Sequence, residues 1–318
     1  HELGNDMLNQ LDDSVCLDME SGRIVFSTDS YVITPFMFPG GDIGKLAVCG
    51  TVNDLVMQGG RPMYLSLAFI VEEGFSRNDF SVIVKSIGSA CREAGVMVVT
   101  GDTKVIERRR GGEGDGSGEP NVFINTAGIG VRIEGKDVSV ANARPGDEVI
   151  VTGPLGDHGI AVMNARKSLN LRSDLKSDVA PLWGLVKQVL EGDFGIRCMR
   201  DPTRGGLAGA LCDIAERSSC CIRIVESKLP IRPEVRGACD ILGLDPLNVA
   251  NEGKAVIVAD KGSANEVLGV LKSHPLGRDA SIIGEVVPDP KGRVLMTTRI
   301  GGERIVDVPL GDSLPRIC

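Results

Sequence analysis

The sequence lacks any long apolar run. Its most hydrophobic stretches, "VMVVT" and "YLSLAFIV", are strand-length and fall well short of the roughly 20 residues that cross a bilayer; no signal-peptide pattern opens it, so the expected location is the cytoplasm. Histidine is scarce, with only three, and the nine cysteines contain no C-x-x-C pair, which excludes both a zinc pattern and, with an odd count, a closed disulfide framework. Cys49, Cys91 and Cys212 sit among apolar residues at helical spacing and read as small core hydrophobes. The formal charge is −8, and the one basic run, Arg108 to Arg110, is followed by acidic residues, so a nucleic-acid footprint is excluded. Two familiar nucleotide motifs are also missing. "PGGDIGKLAVCG" has Pro39 and Leu46 where a P-loop needs Gly and Ser or Thr, and "GGLAG" at Gly205 to Gly209 has neither the third glycine spacing nor the preceding strand of a dinucleotide fingerprint.

What is present is an α/β alternation long enough, at 318 residues, for two domains. Strands are predicted over 23–35, 62–72, 96–106 and 121–133, with helices over 42–58 and 76–94, the second starting at a Ser cap. Between the last two strands lies "RRRGGEGDGSGEPN", too polar and glycine-rich to bury a core, and it reads as a mobile loop with the composition of a lid. "ARPGDEVIVTG" looks like a fresh start. After it come the loop "GPLGDHG" with a helix near 158–170, a helix from Gly206, strands near 221–226 and 254–260, a helix over 264–273 and terminal strands. The fold class is therefore mixed α/β (α+β) with two domains, 1–140 and 141–308, followed by a proline-containing tail, 309–318, that carries Cys318 as its last residue.

Four aspartates stand at the ends of apolar strands or on a small-residue helix: Asp29 in "FSTDSY", Asp54 in "TVNDLV", Asp102 in "VVTGDTK" and Asp201 in "RDPTRGG". Any one of them alone reads as a turn or helix cap. Together they suggest Mg²⁺, which takes hard oxygen donors and bridges to phosphate oxygens. Thr103 and Lys104 place a hydroxyl and a cation beside Asp102, while Thr203, Arg204, Gly205 and Gly206 follow Asp201 at a helix start, where free N–H groups favour anions. Magnesium with polyphosphate is the ligand these residues call for.

The motifs "FSTDSYVITP", "PGGDIGKLA", "GTVNDL", "VTGDTKV", "INTAGIG", "GDHG", "RDPTRGG", "ANEGK" and "PRIC" together resemble the HypE family of hydrogenase maturation factors. That family lies in the superfamily of aminoimidazole ribonucleotide synthetase, selenophosphate synthetase and thiamine monophosphate kinase. The resemblance implies ATP with a divalent metal, an N-terminal α/β domain that pairs into a β-barrel across a homodimer, and a C-terminal α/β domain. It makes Cys318 the substrate carrier: HypF loads it with a carbamoyl group, ATP-dependent dehydration yields a thiocyanate, and the cyano group passes to iron on the HypC–HypD complex for nickel–iron hydrogenase. Asp29, Asp54, Asp102 and Asp201 would hold the metal, with Thr103, Asn125, Thr203, Arg204, Gly205 and Gly206 adding to the nucleotide site. Lys104 would stabilise the transferred phosphoryl group and Glu252 would act as general base.

Plainer readings stand beside these. Lys104 could simply neutralise its aspartate neighbours, Glu252 could cap a turn before "KAVIVA", and His158 in "GDHG" could be a hydrogen-bonding turn residue. The family usually opens on a histidine- and glycine-rich stretch, whereas this sequence opens at "HELGNDML". Two rival functions remain at this point. Selenophosphate synthetase would need a reactive residue such as Cys16, but its setting "DDSVCLDME" is acidic and raises a thiol's pKa. A non-catalytic thiol carrier would leave the aspartates without a purpose.

Overall fold

The computed structural model describes residues 23–108, 120–166 and 174–308. Cys16, most of the glycine-rich loop and the tail with Cys318 lie outside the described residues. The first half runs β1 (Ile24–Tyr31), a short hairpin β2 (Met37–Phe38) and β3 (Gly41–Asp42), α1 (Ile43–Met57), β4 (Gly60–Glu72), α2 (Arg77–Ala94), β5 (Met97–Ile106) and β6 (Val122–Arg132). Its strands form one sheet in the order β1-β6-β4-β5, antiparallel except for the parallel pair β4 and β5.

Local chemistry sets these boundaries. The Ser76 side chain accepts the Asp79 N–H at the start of α2, and Gly95 ends that helix in the left-handed conformation, φ 71°. Helix α1 is different, being apolar or small nearly all round, and such a helix must be buried on every side. It lies against β1, β4, β6 and α2 and also touches α4 and β8 of the second half, whose ranges follow. Gly50 is required there, because a Cβ would stand 2.2 Å from the Tyr31 hydroxyl.

The second half contains β7 (Glu148–Val151), α3 (Asp157–Ala165), α4 (Trp183–Glu191), β8 (Ile196–Arg200), α5 (Gly206–Arg217), β9 (Cys221–Val225), α6 (Pro233–Leu242), β10 (Val256–Ala259), α7 (Ala264–Lys272), β11 (Ser281–Val287), β12 (Arg293–Thr297) and β13 (Glu303–Val306). Seven strands make one sheet, β13-β12-β9-β11-β7-β10-β8, with only β9 and β12 parallel. The hairpin β2–β3, the strand β8 and the helices α4 and α6 were not anticipated from the sequence. Both helices are short and neither has a side-chain cap, although Pro233 at the start of α6 is a start signal that the sequence reading passed over.

One hydrophobic cluster joins the halves, running from Leu46, Val52 and Val56 on α1 to Leu185 and Val189 on α4 and Ile257 on β10. A second belongs to the second half alone. Cys49 and Cys91 are core residues as expected, and burial raises both thiols, whereas Cys212 is only half-buried, beside the Val306 carbonyl. Helix α1 covers one face of the first sheet. The opposite face is open and exposes Ile24, Phe26 and Ile70.

Candidate active site

A cleft of about 360 Å³ opens where the two halves meet, lined by Ser27 of β1, Asp54 and Gln58 at the end of α1, Arg200 at the end of β8, and Asp201 and Thr203 just after it. The Ser27 hydroxyl donates to Asp54 Oδ2 at 2.7 Å. Burial, then the facing Asp201 carboxylate, with Asp29 adding to them, push the Asp54 carboxyl up to about 6. Burial also raises Asp201, against the Arg200 guanidinium and the Thr203 hydroxyl, which favour its charge. Three of the four predicted metal ligands therefore share one neighbourhood. Among the described residues, however, no three His, Cys, Asp or Glu side chains converge closely enough to hold a metal ion by themselves.

Glu252 joins them from the loop before β10. It is buried, and its carboxyl lies well above the ordinary carboxylate range through burial first, then the negative charges of Asp201, Asp178, Asp29 and Asp54. Its backbone is held on two sides. The Glu252 N–H donates to Asp178 Oδ1 at 3.1 Å, and Asn53 Nδ2 of α1 donates to the Glu252 carbonyl at 3.3 Å and to the Ala180 carbonyl at 3.1 Å. Next to it, Asn251 accepts the Gly156 N–H at 2.7 Å and donates to the Pro202 carbonyl at 3.1 Å, which ties the Glu252 loop to the residues just after Asp201.

Asp102 and Lys104 stand apart from this group. Strand register sets Ser30, Asn125, Ala68 and Asp102 in one row across the open sheet face, so β5 lies three strand spacings, about 14 Å, from β1. Lys104 Nζ reaches Asp102 Oδ2 at 2.8 Å, and this bond, followed by the Thr103 N–H, holds the exposed Asp102 carboxyl below its ordinary value. Within one chain Lys104 does neutralise its neighbour. Asn125 Nδ2 donates to the Asp29 carbonyl at 2.8 Å and to the Ser30 hydroxyl at 3.0 Å.

The helix-start residues divide. Arg204 is exposed. Gly206, at φ 59°, is required by packing, since a Cβ would sit 2.5 Å from the Leu247 carbonyl oxygen, while Gly205 at φ 76° caps α5. The Gly44 and Lys45 N–H groups are taken by the Asp42 carboxylate at 2.7 and 3.0 Å, which leaves no phosphate loop there. His158 is fully buried, bonded through Nδ1 to the Ser177 hydroxyl at 2.8 Å and edge-on to Phe38.

Residues 11–132 match the family model for AIR synthase related proteins, N-terminal domain, and residues 144–297 the corresponding C-terminal domain. The carbamoyl dehydratase HypE of Bradyrhizobium diazoefficiens is 50% identical, over 100% of this chain and 90% of that protein. The chain belongs to the HypE family. The HypE of Escherichia coli K12 is 44% identical over 99% of this chain and 92% of its own length. The crystal structure of the hydrogenase maturation protein HypE in complex with ATP superposes with a TM-score of 0.93 at 42% identity, covering 100% of this chain and 93% of that one. A HypE–HypF complex structure matches at 0.85 and 47%, with 96% of each chain covered. Thiamine monophosphate kinase of Aquifex aeolicus, at 0.65 and 19%, shares the fold.

Sequence reasoning missed four residues of this HypE-family neighbourhood. Asn53, Asn251 and Lys254 lie inside motifs that were recognised, beside residues that took all the attention. Asp178 lies in "KSDVA", which carries no motif and no periodicity, so nothing in the sequence singles it out.

Proposed function

We propose that this chain is an ATP-dependent carbamoyl dehydratase of hydrogenase maturation, acting on an S-carbamoyl group carried by Cys318. The observation that carries the reading is its end-to-end likeness to carbamoyl dehydratases named HypE, joined to the match with a HypE that holds ATP. The chemistry balances as follows. The carbamoyl oxygen attacks the γ-phosphorus of ATP and ADP leaves; one N–H proton departs as the C=N bond forms. Loss of the second N–H proton then expels phosphate and leaves the thiocyanate on sulfur.

Each step asks for a group that this chain offers. Glu252 is the proposed base at nitrogen: burial, then Asp201 and the other nearby carboxylates, raise its affinity for a proton, and neutralising those aspartates lowers it. Lys104 is the proposed cation at the phosphoryl group, with Thr103, Asn125, Thr203, Arg204, Gly205 and Gly206 at the nucleotide. Mg²⁺ fits the donors, since Asp29, Asp54 and Asp201 are hard oxygen ligands whose charges already oppose one another; these with Asp102 would hold it, and when bound it neutralises polyphosphate charge.

The open face of the first sheet, with both edge strands unpaired, is the proposed homodimer surface, where a second sheet closes a barrel. A site shared between two chains accounts for the distance of Asp102 and Lys104 from Glu252. The proposed division is 1–140, 141–308 and the tail 309–318. HypF is the proposed loading partner and HypC–HypD the acceptor, in the cytoplasm; among the described residues no helix is long and apolar enough to cross a membrane.

The test is the mass of the C-terminal peptide after incubation with the carbamoyl-loading partner, with and without ATP. With the partner already charged with a carbamoyl group, the carbamoyl adduct should appear on the tail before ATP is added and convert to the cyano adduct after it. Cys318→Ala should abolish both, and Glu252→Gln should accumulate the carbamoyl form. Adducts on another cysteine would refute the tail assignment.

A further inference from the structure

Asp178 and Lys254 form an ion pair at 3.1 Å with side chains only 3% and 7% exposed. Such a pair is weak grounds for stability, because taking two charges out of water offsets most of their attraction. Its partners suggest another use. Asp178 Oδ1 accepts the Glu252 N–H at 3.1 Å and Oδ2 accepts the Gly253 N–H at 3.4 Å, while Lys254 Nζ also donates to the Gly253 carbonyl at 3.1 Å. Burial opposes the Asp178 charge, but Lys254, His158 and the Glu252 N–H outweigh it and hold its carboxyl below the ordinary range.

The fit leaves no slack. A Cβ on Gly253 would stand 1.9 Å from the Asp178 carbonyl oxygen and 3.0 Å from the Ala180 nitrogen, so the segment from Asp178 to Leu182 lies directly on the Glu252 turn. From the far side Asn53 binds that segment twice, donating to the Ala180 carbonyl and accepting the Leu182 N–H at 2.8 Å, and it also holds the Glu252 carbonyl. His158, bonded to Ser177, and the Pro39 carbonyl, which accepts the Ser177 N–H at 2.7 Å, fix the start of the segment.

We propose that Asp178 is a positioning residue for Glu252: its carboxylate, fixed by Lys254, clamps the backbone of the 252–253 turn and so sets where the Glu252 carboxyl stands relative to Asp201. The proposal rests on Glu252 being the base. A buried carboxylate anchoring two consecutive N–H groups of the turn that bears the base leaves that base little freedom, and misplacement of a catalytic group by about 1 Å can cost 10²-fold in rate.

The test uses the full-length protein with its tail carbamoylated, and reads single-turnover thiocyanate formation, ATP affinity and melting temperature. Asp178→Ala/Lys254→Met removes the clamp without stranding a buried ammonium. It should slow thiocyanate formation roughly 10- to 100-fold while ATP affinity stays within about twofold. Asp178→Asn/Lys254→Met keeps one acceptor and should lose only several-fold. In a Glu252→Gln background the Ala/Met change should cost nothing more, because the group it positions is already disabled. An unchanged rate in Ala/Met, or an equal loss in the Glu252→Gln background, overturns the positioning role while leaving the base intact. Normal turnover in Glu252→Gln by itself overturns the base, and the positioning role with it. Should Ala/Met fail to fold, Asn/Met decides on the same readouts: a several-fold loss confined to the Glu252 background supports the proposal, and no loss overturns it.

Discussion

Replacing Asp54 with Asn should stabilise the metal-free protein at neutral pH and only there. The Asp54 carboxyl titrates at about 6 rather than the ordinary 3.8, because burial and the facing Asp201 disfavour its charge. A carboxyl with a raised folded pKa holds its proton more tightly folded than unfolded. Its protonated form therefore favours the folded state at low pH, and that advantage is lost as pH rises from about 4 to about 6. A shift of about 2 units at about 1.4 kcal/mol per unit puts the loss at about 3 kcal/mol above pH 7. Asn keeps the shape, can accept the Ser27 hydroxyl and carries no charge. Urea unfolding in EDTA across pH 4 to 8 should show the variant level with the parent near pH 4 and about 2 to 3 kcal/mol more stable above pH 7. Adding Mg²⁺ should narrow the gap, since a ligand that binds only the folded parent stabilises it alone. Equal stability at pH 7.5 in EDTA, or a gap that does not vary with pH, would refute the reasoning.

Asp102→Asn should weaken binding of ATP with Mg²⁺ steeply while leaving the melting temperature nearly unchanged, because its side chain is 57% exposed; unaltered nucleotide affinity by calorimetry removes it from the site. Sedimentation should give a dimer at micromolar concentration, and Phe26→Lys on the open sheet face should shift it to monomer, whereas a monomeric parent counts against the proposed barrel. Gly253→Ala should cost about 1 to 3 kcal/mol, read as a fall of several degrees in melting temperature, because its Cβ meets the Asp178 carbonyl oxygen.

Much of the fold was legible where a segment carried its own stop and start signals. Ser76 and Gly95 bracket α2, and Asp42 and the small-residue run of α1 announce a buried helix. Helix α4 was missed because it is short and starts without a capping side chain, whereas α6 opens on Pro233, a start signal that was passed over. The site was legible as a set of residue types and illegible as an arrangement. Asp29, Asp54 and Asp201 look alike in sequence to Asp102, but β1 and β5 are opposite edges of one sheet, and only strand order separates them. Gly206 reads in sequence as part of an anion cradle, and its packing against the Leu247 and Val249 carbonyls demands a glycine independently of any ligand. Asp178 could not be found at all, since its role depends on a segment that crosses more than seventy positions of sequence to lie on the Glu252 turn.

Helix α1 explains how residues from both halves can act at one cleft. Successive residues on a helix point about 100° apart, so neighbours can serve different surfaces. Asn53 turns into the interior and binds Ala180, Leu182 and Glu252 of the second half, while Asp54 faces the cleft beside Ser27 and Asp201. The same helix is packed on every side, within a hydrophobic cluster that continues into α4 and β10. A rigid, almost wholly buried element resists the small displacements that would separate Asp54 from Glu252. The relation between carboxylates of the first half and the proposed base of the second is thus held by a shared core and by one asparagine.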